Sequence, residues 1–90
     1  MQLPTSSQQY ALLVDLLKAA RIRARLTQSD VANELGCSTS FVDQVEHGEI
    51  NLDFAQAREF AHAAGISFPL LVERFERGLD AMIAHSARFD

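Results

Sequence analysis

The side chains able to do acid, base, nucleophilic or metal chemistry are present in this chain, but none sits at a spacing that performs it. His47, His62 and His85 lie far apart, and the single Cys37 has no second cysteine with which to share a metal ion or close a disulfide. Neither a glycine-rich phosphate loop nor a nucleophile elbow occurs, and the carboxylates are spread along helical faces. No active site, metal or cofactor is expected. What remains is hydrogen-bonding chemistry, and it is concentrated: Ser38, Thr39, Ser40, Asp43 and Gln44 place three hydroxyls, a carboxylate and an amide in one short segment.

Val42 and Val45 fall three apart within that segment. A helix from Thr39 to about His47, capped by Ser38, therefore turns the valines inward and Thr39, Ser40, Asp43 and Gln44 outward. Gly48 ends it. Before it, Thr27 with Asp30 has the form of a capping box opening a helix over Gln28 to Leu35, whose apolar face is Val31, Ala32 and Leu35. Gly36 then stands where a helix end wants a residue tolerant of positive φ. Two helices of about eight residues joined at a tight turn have the proportions of a helix-turn-helix unit. Gln28 stands in the first turn of the earlier helix, where unpaired backbone N–H groups and a side-chain amide suit a phosphate.

Other elements must hold this pair. Ser6 with Gln9 reads as the cap of a first helix running to about Arg25, with Leu13, Leu16, Leu17 and Ala20 on one stripe. Asp53 with Gln56 opens a fourth helix over about 53–64, turning Phe54, Ala57, Phe60, Ala61 and Ala64 inward. Ser67 and Pro69 suit the start of a fifth, which Gly78 either ends or bends. No strand alternation or repeat appears, so the fold class is all-α with short connections.

The 90 residues, 48% apolar and 22% charged, specify one small domain with little room for a substrate cavity beside its core. The net charge of −4 argues against a protein that coats nucleic acid nonspecifically, yet it conceals a basic patch. Lys18, Arg21, Arg23 and Arg25 face only Asp15 in residues 1–27, a local +3, which leaves −7 for the remainder. No apolar run of about 18 residues and no basic-then-apolar leader is visible, so no membrane association is expected. A reducing, cytoplasmic setting fits, with Cys37 as a buried, inert thiol.

Leu26-Thr27-Gln28-Ser29-Asp30-Val31-Ala32-Asn33-Glu34-Leu35-Gly36, followed by Ser38, Val42, Val45, Glu46 and Gly48, resembles the Cro/repressor-type (XRE) helix-turn-helix family. The likeness spans about residues 10–72. It implies a compact five-helix repressor-like domain, in which helix 3 enters the major groove of double-stranded DNA and helix 2 crosses the backbone. The protein would then be a sequence-specific transcriptional regulator, with residues 1–67 as the DNA-binding core and 68–90 as an extended C-terminal helix. The resemblance places Thr39, Ser40 and Gln44 at base edges, with Gln44 suited to reading adenine bidentately, and Gln28 at a phosphate. Ser38, Arg23, Arg25 and the backbone around Asn51 are further phosphate candidates. Arg21 and Glu46 match positions that commonly form a salt bridge in the family. Phe41 either meets a thymine methyl or leans back onto Phe54. Two departures stand out: Asp43 occupies a position often held by serine or a basic residue, and Arg25 replaces a frequent glycine. A carboxylate at position 43 is repelled by phosphates but accepts from a cytosine amino group.

Leu71, Phe75, Leu79, Met82 and Ile83 recur at three- and four-residue intervals in the C-terminal segment. Their extent points to a homodimer on a palindromic operator, with two recognition helices about 34 Å apart. The competing reading folds this helix back on helix 1. A function of another class is an antitoxin or accessory module that keeps the fold and binds a basic protein partner through its acidic helices 4 and 5. Absence of any preference among DNA sequences would favour that reading.

Overall fold

The computed structural model describes the backbone of residues 3–89 and the side chains of residues 3–86. Its elements are α1 (Ser6–Arg23), α2 (Gln28–Leu35), α3 (Thr39–Glu46), α4 (Phe54–Ala63) and α5 (Phe68–Phe89), with no strand among the described residues. The helix-turn-helix pair is α2 and α3.

Side chains cap the starts. Thr27 and Asp30, and Asp53 and Gln56, form the reciprocal boxes their spacing predicts, and Ser38 accepts from the Phe41 N–H at 3.1 Å. At α1 the box is Thr5 with Gln8 rather than Ser6 with Gln9. The same hydroxyl-to-glutamine spacing occurs in both registers, and the Gln9 amide instead donates to the Pro4 carbonyl at 3.3 Å. Helix α1 also stops at Arg23, two residues earlier than expected, because Arg25 takes a left-handed φ of 61°. Its reversal uses the same bonds as the α2 end at Gly36. Leu26 N–H reaches the Arg21 carbonyl at 3.1 Å, as Cys37 N–H reaches that of Ala32 at 3.0 Å. At Gly36, φ 69° costs nothing sterically, whereas Arg25 bears a side-chain clash in that conformation.

The fully buried centre is Leu17, Val31, Val42, Val45, Phe60 and Leu71, drawn from all five helices. Ala32, only 2% exposed, belongs to the same core. Phe41 is half-buried and packs against this core. Two apolar residues are displaced from their expected places. Phe54 is 75% exposed at the outer edge of α4, its ring meeting that of Phe68 edge-on at 5.1 Å. Cys37 is half-buried against the core rather than fully enclosed.

Helix α5 runs unbroken through Gly78. A Cβ there would come within 2.8 Å of Leu12 Cδ2, so this glycine does not end the helix but permits α1 and α5 to approach closely. The C-terminal helix is thus folded back along α1, and this corrects part of the expected dimer face. Leu71 is 1% exposed within the core, while Met82 is half-buried and lines an open cavity with Leu3, Pro4, Thr5 and Gln8. Phe75, Leu79 and Ile83 remain half-buried. With 22 residues, α5 is about 33 Å of helix.

Replacing Arg25 by glycine should relieve the left-handed strain and raise stability by about 0.5–1 kcal/mol after the unfolded-chain entropy is counted. Thermal unfolding measures it; a lower melting temperature for Arg25→Gly would contradict the strain account.

Candidate nucleic-acid interface

The site begins with a charge pair inside the domain. Arg21, in the last turn of α1, faces Glu46 at the end of α3, with Nε to Oε2 at 2.6 Å and Nη2 to Oε1 at 3.0 Å. A third guanidinium nitrogen donates to the Leu26 carbonyl at 2.9 Å, in the link to α2. The Glu46 side chain is only 1% exposed. Burial opposes its charge most strongly, but hydrogen bonds from Arg21 and Gln28, with the positive charges of Arg21 and Lys18, outweigh that and hold its carboxyl below the ordinary value. The hydrogen bond to Glu46 raises Arg21 correspondingly, so both charges persist at neutral pH. This salt bridge joins the helices that the resemblance implied.

Gln28 completes the network. Its Nε2 donates to Glu46 Oε1 at 3.0 Å and to Asp43 Oδ1 at 3.1 Å, tying the first turn of α2 to α3. Asp43 also lies 3.4 Å from His47 Nδ1, and that nitrogen is 2.8 Å from the Asp43 carbonyl. No buried side-chain nitrogen or oxygen among the described residues lacks a partner.

Around this fixed pair, the outward face of α3 is open. Thr39, Ser40 and Gln44 are exposed, and their side chains make no hydrogen bond to described residues. The caps leave the first two N–H groups of each short helix facing solvent: Gln28 and Ser29 on α2, Thr39 and Ser40 on α3. Ser38 spends an oxygen lone pair on its cap, so its hydroxyl proton stays available. Arg23 and Arg25 are exposed at the α1 end that leads into α2.

The second flank is built by a residue that the sequence reading missed. The Tyr10 hydroxyl donates to the Ile50 carbonyl at 2.7 Å and accepts from the Leu52 N–H at 2.8 Å, pinning the α3–α4 loop to α1. Exposed Asn51 consequently sits beside Gly48, Ser6 and Ser7. Tyr10 shares the stripe of Leu13 and Leu17, and a phenol on a buried stripe demands a polar partner. That was the available signal; the partner, 40 residues away, was not readable.

The arrangement is that of a helix-turn-helix domain, and residues 12–75 match the family described as "Helix-turn-helix domain". A solved structure, "XRE-family like protein" from Pseudomonas syringae pv. tomato str. DC3000, is 35% identical, with a TM-score of 0.72. The match covers 77% of this chain and 84% of that one. No curated protein matches the chain. The chain belongs to the XRE-type helix-turn-helix family, a class of DNA-binding regulators rather than enzymes. No helix among the described residues is long and apolar enough to cross a membrane.

The lowered Glu46 carboxyl fixes a pH dependence. Its contribution to stability is fully present above the ordinary value of 4.5 and is lost as pH falls through the lower folded value. Asp30, lowered by its bonds to the Thr27 backbone and side chain, titrates on the same side. The Glu46 part is therefore read as a difference: wild type should exceed Glu46→Gln in stability at pH 7, with the gap narrowing below about pH 4.5. A gap unchanged down to pH 3 in denaturant titrations would contradict the pairing.

Proposed function

We propose that this protein is a sequence-specific transcriptional regulator that inserts α3 into the major groove, with Thr39, Ser40 and Gln44 reading base edges. The observation that carries the reading is the open polar face of α3, held rigidly to α1 by the buried Arg21–Glu46 pair. The backbone N–H groups of Gln28 and Ser29, the Ser38 hydroxyl and the loop at Asn51 flank that face as phosphate contacts, and Arg23 and Arg25 add charge. Binding takes place in the cytoplasm, on the chromosome, and regulation acts through concentration and assembly.

Selection from a randomised duplex library should enrich a defined site, and Gln44→Ala should lose preference at one base position by roughly tenfold. Affinity should fall steeply with salt, as expected for several phosphate contacts. Equal retention of all sequences at low salt would contradict the reading.

The domain acts as a homodimer on a palindrome. Exposed Val72 and half-buried Phe75, Leu79 and Ile83 follow one flank of α5, beside exposed Phe54. This face omits Leu71, which is buried within the monomer. Ile83→Glu should convert a dimer to a monomer in sedimentation and weaken binding to a paired site far more than to a half-site; an unchanged mass would exclude this face.

A second reading keeps the fold but gives it a basic protein partner, as in an antitoxin. It is favoured by an apolar groove of about 280 Å³ between Tyr10, Leu13, Phe54, Phe68 and Phe75, with Asp53 at its edge. A copurifying basic protein without enrichment of any DNA sequence would support it.

A further inference from the structure

We infer that Gln28 is a positioning residue for Asp43, and that Asp43 selects cytosine in the major groove. The inference rests on the DNA-binding reading above and names the base one residue takes.

The Gln28 amide nitrogen has two hydrogens and meets two carboxylate oxygens, Asp43 Oδ1 at 3.1 Å and Glu46 Oε1 at 3.0 Å. Only the NH2 end of the amide can occupy that place, because its carbonyl oxygen would face two acceptors. Both donors of the Gln28 side chain are thereby consumed within the protein. No side-chain donor is left for a phosphate, and the N–H groups of Gln28 and Ser29 in the first turn of α2 serve that role instead.

The consequence falls on Asp43. This carboxylate lies on α3 one residue before Gln44, and half of its side chain is exposed, at 51%. Its Oδ1 accepts from Gln28 and lies 3.4 Å from His47 Nδ1, a nitrogen that is also 2.8 Å from the Asp43 carbonyl, while Oδ2 accepts from no described residue and is left as a pure acceptor. Of the four bases, cytosine presents only an amino donor to the major groove. Adenine sets N7 beside its amino group, while guanine and thymine present acceptors, and each acceptor repels a carboxylate. A carboxylate that is a cost near phosphates thus becomes a discriminator when held at a base edge.

The test is selection from a randomised library with wild type, Asp43→Asn and Gln28→Ala, each checked for folding by circular dichroism and thermal unfolding. Wild type should require cytosine at one position. Asp43→Asn, nearly isosteric and half-exposed, should shift that position towards adenine, whose N6 and N7 suit an amide. Gln28→Ala, which also removes a bond to Glu46, should weaken the cytosine preference there by roughly fivefold or more beyond any uniform loss of affinity, with the salt slope unchanged. Three results overturn the inference. Asp43→Asn could tighten binding to all sequences equally, marking simple repulsion from phosphates. Gln28→Ala could weaken all sequences uniformly and reduce the salt slope by about one, marking a phosphate ligand. Wild type could enrich no sequence at all, which removes the DNA-binding reading itself together with this one.

Discussion

The buried pair of Arg21 and Glu46 is the interaction on which the functional surface depends. Taking a carboxylate to 1% exposure is costly unless its partner and remaining hydrogen bonds are in place, and here they are. Two bonds come from Arg21 and one from Gln28, while Arg21 also holds the Leu26 carbonyl. One residue therefore specifies the relation of α1 to α3 and of both to the start of α2. Breaking such a pair by deleting one partner typically costs about 3–5 kcal/mol, much of a small domain's stability. Hydrophobic burial of Val42 and Val45 brings α3 to the core, but apolar contacts are not directional. The ion pair supplies direction.

Rigidity at the base of α3 is what its outer face requires. Thr39, Ser40 and Gln44 carry side chains that no described residue holds, so their reach into a groove is set by where the helix sits. The α2 start lies on one flank of that face and the Tyr10-anchored loop with Asn51 on the other, where the proposed phosphate contacts would hold it. The chain's net charge of −4 is compatible with this because Lys18, Arg23 and Arg25 belong to the helix that ends beside α2. The acidic excess lies in later residues.

Much of this was legible in the sequence where the cause is local. Caps at Thr27, Ser38 and Asp53 and the glycine at position 36 set boundaries within one or two residues because each acts over three or four positions. Thr5 against Ser6 was not decidable, since both precede a glutamine at the same spacing. Features joining distant segments were illegible for a physical reason: nothing local to Tyr10 names Ile50, and nothing at Gln28 names Asp43, 15 residues on. Gly78 looked like punctuation and serves packing against Leu12, a choice made by tertiary contact. Leu71 looked like part of an interface because periodicity identifies an apolar face without saying what covers it.

The most direct measurement is backbone NMR of the labelled protein titrated with a short random-sequence duplex at low ionic strength. The account predicts amide shifts at Gln28 and Ser29, along Thr39 to Gln44, and from Gly48 to Asn51, with the α4 and α5 flank unmoved. Shifts confined to Phe54, Val72 and Leu79, or no shifts at all, would contradict a nucleic-acid interface built on α3.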